Sequence, residues 1–149
     1  MSTVKVTTDI DAPPQRVWDT IMDPEQLGQW VTIHRSLDEV SDNPLTNGSK
    51  MRQCLAMRGV SFHVQWTLAE CNAPHHAVWE GTGPAHSRAR IRYDLSGDGD
   101  GPTRFEYTNE FTPPGGRLGT IASRVIVGAT SEREATKSLN RLKELVERN

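Results

Sequence analysis

Five histidines, two cysteines and a run of aspartates are the residues of this chain with the most chemistry to offer, and their spacing argues against most of it. His34, His63, His75, His76 and His86 contain no His-Glu-x-x-His or other paired-ligand spacing, so no metal centre is expected. The adjacent pair His75-His76 falls in a turn, where at most it would catch adventitious metal. Cys54 and Cys71 fit no metal or redox spacing and fall too far apart along neighbouring strands for a disulfide. Asp94, Ser96, Asp98, Gly99 and Asp100 imitate a calcium loop, yet Phe105 stands where the closing Glu belongs and strands flank the segment. An Asp/Gly hairpin turn is expected instead. No nucleophile elbow is present, and a Ser-His-Asp arrangement assembled by the fold stays open. What remains is a scattered set: Gln53, Ser87, Tyr93, Tyr107 and Asn109, with Trp66 and Trp79. If the fold gathers them, they become hydrogen-bonding tips and stacking surfaces in an apolar cavity. The same residues also fit a core whose polar tips reach a neighbour or a water.

The elements that must position this set are strands. Val4, Val6, Thr8 and Ile10 alternate with Thr3, Lys5, Thr7 and Asp9, the period of a half-buried strand. Breakers at Asn43-Pro44 to Asn47-Gly48, Arg58-Gly59, Asn72 to Pro74, Gly83-Pro84 and Gly97 to Pro102 delimit six more strands, roughly 33–41, 49–57, 60–71, 75–82, 85–96 and 103–112. Short connections predict antiparallel neighbours. Pairing around the Arg58-Gly59 turn sets Met57 opposite Val60, Leu55 opposite Phe62, Gln53 opposite Val64 and Met51 opposite Trp66, a face apolar except for Gln53. For the last two strands, setting Tyr93 opposite Phe105 places Ile91 with Tyr107, Ala89 with Asn109 and Ser87 with Phe111 on one face. The other face then joins Asp94 to Arg104, Arg92 to Glu106 and Arg88 to Glu110. By the same parity Ala77, Trp79 and Gly81 point inward, His63 and His86 point outward, and Glu70 is the only inward carboxylate. Arg88, Arg90 and Arg92 form a charge-paired outer stripe rather than an anion site.

Helices flank the strands. After Pro13-Pro14, the residues Val17, Trp18, Ile21 and Met22 share a helical face. Asp23 caps a second short helix, with Pro24 at its first position and Gln26 closing a capping box, and this helix carries Leu27 and Trp30. The orientation of His34 and Arg35, which follow it, stays open. At the far end Leu118, Ile121, Val125, Ala129, Ala135, Leu139, Leu142 and Val146 recur at helical steps, predicting one long amphipathic helix of roughly 45 Å. Ser131-Glu132-Arg133-Glu134 reads as a capping box inside it and leaves a break near Gly128 open. Gly128 and Ala129 thin the stripe. Ile121 and Val125 are therefore expected to roof a cavity, while Leu139, Leu142 and Val146 anchor the helix.

The predicted fold class is α+β: a seven-stranded curved antiparallel sheet wrapped around a long C-terminal helix, with two short helices after the first strand, in a single domain over residues 1–149. The 149 residues carry 17 basic and 19 acidic side chains, a net charge of −2, which gives no electrostatic case for a nucleic-acid partner. No apolar run is long enough for membrane insertion and the N-terminus has no apolar signal region, so a cytoplasmic protein is expected.

Ile10-Asp11-Ala12-Pro13-Pro14-Gln15-Arg16-Val17-Trp18, followed by Asp23-Pro24-Glu25 and Trp30, resembles the opening signature of the START/Bet v 1-like (SRPBCC) superfamily, nearest its polyketide cyclase/dehydrase-like branch. Trp79-Glu80-Gly81, Thr103-Arg104-Phe105-Glu106 and the terminal helix also fit. The resemblance implies a helix-grip fold with a cavity between sheet and helix. It implies binding of a small hydrophobic or aromatic molecule. The alternatives are a polyketide cyclase/dehydratase-type enzyme and an Hsp90-activator-like interaction domain. No cyclase catalytic set maps onto the chain residue by residue, so its catalytic residues are unknown. The expected ligand-binding residues are Gln53, Trp66, Trp79, Ser87, Tyr93, Tyr107, Asn109, Ile121 and Val125, with no metal, no cofactor, and a monomer or homodimer.

Overall fold

The computed structural model describes residues 2–42, 44–112, 129 and 131–148. Strand β1 (Ser2–Ile10) is followed by helix α1 (Pro14–Ile21), a 3-10 turn (Pro24–Gln26) and helix α2 (Leu27–Trp30). Strands β2 (His34–Val40), β3 (Lys50–Met57), β4 (Val60–Asn72) and β5 (His76–Thr82) come next, then a 3-10 turn (Pro84–His86), β6 (Arg88–Ser96), β7 (Thr103–Thr112) and helix α3 (Glu132–Arg148). The seven strands form one sheet in the order β1-β7-β6-β5-β4-β3-β2, every neighbouring pair antiparallel. This is the helix-grip arrangement of an α+β fold. Pro14 opens α1 as expected, whereas Asp23 caps the 3-10 turn rather than α2, and Gln26 bonds its carboxylate instead of closing a capping box on its N–H. The Asp23 carboxylate accepts from the Glu25 N–H at 3.0 Å and from the Gln26 side-chain amide at 3.0 Å, with Pro24 at the first position.

The β3–β4 register sets Met57 opposite Val60, Gln53 opposite Val64 and Met51 opposite Trp66, as the pattern predicts. The β6–β7 register differs from expectation by two residues. Tyr93 stands opposite Tyr107, Ile91 opposite Asn109 and Ala89 opposite Phe111. A shift of two keeps every side chain on its predicted face, because the strand period is two. The predicted charge pairs are lost: Arg90 faces Glu110, Arg92 faces Thr108 and Asp94 faces Glu106. Exposed ion pairs contribute only about 0–1 kcal/mol and do not set a register. The turn and the buried rings do. Gly97 at φ 144° and Gly101 at φ 84° close the β6–β7 connection, and the Tyr93 ring packs edge-on against Phe105 at 5.5 Å.

Two further expectations give way. Glu70 is exposed rather than inward, because a bulge between Leu68 and Glu70 reverses the parity of β4 at that point. β6 begins at Arg88 rather than at residue 85, since Ala85 and His86 adopt positive φ in the preceding turn.

The break left open near Gly128 bears on where the terminal helix begins: Ser131 is a bend, and α3 starts at Glu132. The Ser131 hydroxyl accepts from the Glu134 N–H at 3.3 Å, half of the predicted capping box, now at a true helix start. Leu118, Ile121, Val125 and Gly128 lie outside the described residues. The stripe that does dock is the C-terminal one, with Leu139, Leu142 and Val146 buried to 2% exposure or less. Polar clamps hold both ends of α3. At its C-terminal end the Arg16 guanidinium donates to the Val146 carbonyl, Lys143 Nζ donates to the Asp9 carbonyl at 2.6 Å, and the Asp11 N–H donates to Glu147 at 2.8 Å. Nearer its start the Thr32 N–H donates to Ser138 Oγ at 3.1 Å. No described helix is long and apolar enough to cross a membrane.

Leu142 is fully buried in this contact, so Leu142→Ala should destabilise the fold by about 2–5 kcal/mol. Urea denaturation measures it. A loss below about 1 kcal/mol would show that the stripe is not docked as described.

Candidate functional site

Between the concave face of the sheet and α3 lies a cavity of about 110 Å³. Its walls are built by period-two alternation. β3 and β4 supply Met51, Gln53, Leu55, Val64 and Trp66, β5 supplies Trp79, β6 supplies Ile91 and Tyr93, and β7 supplies Tyr107, Asn109 and Phe111. α2 adds Leu27 and Trp30, Ser87 lies just before β6, and Ala129 and α3 close the top with Ala135 and Leu139. The structure therefore brings Gln53, Trp66, Trp79, Ser87, Tyr93, Tyr107 and Asn109 onto one surface. Ile121 and Val125 lie outside the described residues.

The Trp66 ring owes its position to glycine. A Cβ built on Gly81, its partner on β5, would stand 2.6 Å from two carbons of the indole, so only a bare backbone lets the ring lie there. Trp66 Nε1 donates to Gln53 Oε1 at 2.9 Å. An indole N–H can only donate, which fixes the Gln53 amide with its oxygen toward Trp66 and its nitrogen toward His34 Nδ1 at 2.8 Å. That ring nitrogen must accept, so His34 is a neutral imidazole protonated on Nε2. Its orientation, open in the sequence, is settled by this chain of donors. Burial lowers its pKa in the same direction.

An aromatic row crosses the floor. Trp30 meets Tyr93 edge-on at 6.3 Å, and Tyr93 leans on Tyr107 at 6.2 Å. Burial pushes the Tyr107 phenol up to about 12 and raises Tyr93 further, so both stay neutral. The Asn109 side-chain amide donates to the Tyr107 hydroxyl at 3.2 Å, yet Asn109 Oδ1 and Trp30 Nε1 are buried with no hydrogen-bond partner. Native interiors satisfy nearly all such groups, so these two are exceptions on the cavity wall.

Sequence reasoning missed the polar side of α3. Glu134, Thr32, Ser131 and Ser138 all line the cavity, and Thr32 Oγ1 donates to Glu134 Oε2 at 2.7 Å. Glu134, not Glu70, is the carboxylate on the wall. The signal was present: Glu134 and Ser138 are four residues apart, beside Ala135 and Leu139 on the same helical face. Counting only apolar members of the stripe hid them.

The described histidines bond to Gln53, Asp38, the Leu95 carbonyl, Asp94 and Glu70, and none of these bonds runs to a serine or cysteine that it could activate. Among the described residues no group of three or more His, Cys, Asp or Glu is placed to hold a metal, and both cysteines are free thiols.

A family profile described as polyketide cyclase / dehydrase and lipid transport matches residues 1–147. The chain belongs to that family. It is a member of the polyketide cyclase-like branch of the START/Bet v 1-like superfamily, as its opening motif indicates. An uncharacterized protein of Mycobacterium tuberculosis is 24% identical over 150 residues, covering 97% of this chain and 99% of that protein. The fold matches the crystal structure of the Zhui aromatase/cyclase from Streptomyces sp. R1128 with a TM-score of 0.79 at 17% identity, covering 99% of this chain and 94% of that one. A Thermus thermophilus protein of known structure matches with a TM-score of 0.75 at 21% identity, covering 97% of each chain.

Two histidines of this family member give opposite pH dependences. His76 donates from Nδ1 to Asp94 at 2.7 Å and from Nε2 to Glu70 at 3.1 Å, and the bond to Asp94, then that to Glu70, raises its pKa. Its folded pKa lies above the unfolded one, so its stabilisation is full below about 6.5 and fades as pH rises through the folded value. His34 is the reverse. Its lowered pKa gives stabilisation that is present above about 6.5 and lost as pH falls through the folded value. Thermal melts between about pH 5 and 8 should show the deficit of His76→Gln shrinking with rising pH and that of His34→Gln growing. Deficits independent of pH in both variants would refute the assignment.

Proposed function

We propose that residues 1–149 act as one domain that binds a small hydrophobic or aromatic molecule between sheet and helix. The observation that carries this reading is the cavity: mainly apolar and aromatic walls with buried polar atoms lacking partners. Its volume is about 110 Å³, and a water-sized sphere takes ~10–15 Å³ on the same measure, which leaves room for roughly seven to eleven non-hydrogen atoms. That suits a one- or two-ring molecule. In this reading Trp66, Trp79 and Tyr93 supply stacking surface, and Gln53, Ser87, Tyr107 and Asn109 supply polar tips. The family's description as cyclases, dehydrases and lipid transporters supports an apolar occupant.

A cyclase/dehydratase-type enzyme is the second reading, favoured by one observation, the Glu134 carboxylate on the wall. There it would serve as general base toward a carbonyl compound. It ranks second because the space is small for a folded poly-ketone chain and no second titratable group is bonded to Glu134 on the cavity side; Lys137, 3.7 Å away, is half exposed. An interaction domain would need an exposed apolar patch, and among the described residues the exposed large hydrophobic is Val40 alone.

Native mass spectrometry of the protein purified from its own host should reveal a retained small molecule at one copy per chain. Ala129→Leu, which fills the cavity from above, should cut that retention about tenfold or more while shifting the melting temperature only a few degrees. Unchanged retention together with a large stability loss would mean that Ala129 faces packed core rather than a ligand.

A further inference from the structure

The polar end of the cavity carries more information than its apolar walls. Asn109 is buried to 5% exposure and its amide bonds only to the Tyr107 hydroxyl, at 3.2 Å. A primary amide and a phenol can pair in two ways. If the amide nitrogen donates to the phenol oxygen, Asn109 Oδ1 is left as a free acceptor and the phenol hydrogen as a free donor. If the amide is turned over, the phenol donates to Oδ1, the amide nitrogen keeps free hydrogens, and the phenol oxygen keeps a lone pair. Both arrangements leave at least one donor and one acceptor side by side. A hydroxyl, which gives one hydrogen bond and accepts another, satisfies either. An ether oxygen or a ketone only accepts and leaves the free acceptor stranded. An ammonium only donates.

Charge narrows the class further. The acidity of Tyr107 is suppressed to a pKa of about 12, and Tyr93 behind it is pushed the same way, so the pair itself is uncharged near neutrality. Among the described residues the charged groups on the lining are Glu134, tied to Thr32, and Arg88, which is exposed. Neither bonds to Asn109 or Tyr107. A carboxylate driven into this end would sit beside a neutral amide and phenol without a counter-charge, and burial of an unpaired charge is costly. The Trp30 N–H, orphaned at the other end of the aromatic row, takes any acceptor oxygen and does not discriminate.

We propose that the cavity selects a neutral hydroxylated aromatic molecule of one or two rings, its hydroxyl held between Asn109 and Tyr107. The proposal rests on the cavity-binding reading and names the chemistry that reading leaves open. Ordered water is the competing occupant, since one water also donates and accepts.

Four one-ring probes that all fit the cavity separate these cases: toluene, anisole, phenol and benzoate, titrated into the intact chain by calorimetry. The expected result is phenol binding about tenfold or more tighter than the other three, since each of them leaves a buried donor or acceptor unpaired or buries a charge. Asn109→Ala and Tyr107→Phe should each collapse that preference to within about threefold, with thermal melts confirming that the variants are folded. Equal affinity for toluene and phenol would overturn the hydroxyl assignment and leave the binding reading standing, with water holding the polar end. Tighter binding of benzoate would also overturn it. Failure of all four probes to bind would overturn the cavity-binding reading itself and this inference with it.

Discussion

Leu139, Leu142 and Val146 meet the concave face of the sheet in a dry contact, and the position of nearly everything else depends on where that contact ends. The stripe fills the curve at the C-terminal end of α3, where β1 and the start of α1 also press in. Lys143, Glu147 and Arg16 lock that end through the Asp9 carbonyl, the Asp11 N–H and the Val146 carbonyl. Toward its start the helix offers Ala135, Ser138 and Glu134 in place of large apolar side chains. Small and polar residues cannot fill a curved aromatic surface, so the sheet and helix stay apart there. The void follows from side-chain volume along one helix, with the rigid clamps preventing the helix from settling inward.

Polar groups on the wall that burial removes from water need a partner inside the protein. The chain solves this unevenly. Trp66, Gln53 and His34 form a line in which the indole N–H meets the Gln53 oxygen and the Gln53 amide meets His34 Nδ1, on the condition that His34 stays neutral. Thr32, Ser138 and Glu134 form a second satisfied group that also ties the α2–β2 connection to α3. Asn109 and Trp30 are the exceptions. The two satisfied clusters show that the fold readily supplies partners, so the unsatisfied pair stands out against them. Charge follows the opposite arrangement, with Lys5–Glu106, His63–Asp38 and the His76–Asp94–Glu70 group all on the outer face.

Which residues face the cavity was legible in the sequence because it depends on parity alone. Gln53, Trp66, Tyr93, Tyr107 and Asn109 all reach the concave side, even though the β6–β7 register inferred from charge pairs was two residues off. Parity survives such an error, and opposite-charge pairs on a solvated face are too weak to prevent it. Parity fails where the backbone departs from a regular strand. The bulge at Leu68/Glu70 turned the one expected inward carboxylate outward, and no turn residue in β4 announced it. The helix posed another problem. A capping box at Ser131 was visible, but the apolar spacing ran through it, and periodicity cannot tell one helix from two that share a face. Glu134 and Ser138 escaped notice for a related reason: a polar residue on an apolar stripe reads as its edge until a cavity is seen beneath it.

Family and fold narrow the function without deciding it, since the same helix-grip frame serves a named aromatase/cyclase and proteins of no stated activity. The decision lies in how titratable groups are distributed. Catalysis of proton transfer asks for an acid and a base within reach of one reacting atom, with pKa values drawn apart by their surroundings. Here burial disfavours loss of the proton by the Tyr93 and Tyr107 phenols, His34 is engaged as an acceptor behind Gln53, and Glu134 is tied to Thr32 and Lys137. Among the described residues the neutral phenols and the neutral His34 suit the proposed recognition of an uncharged molecule, in which the polarity of Asn109 serves orientation.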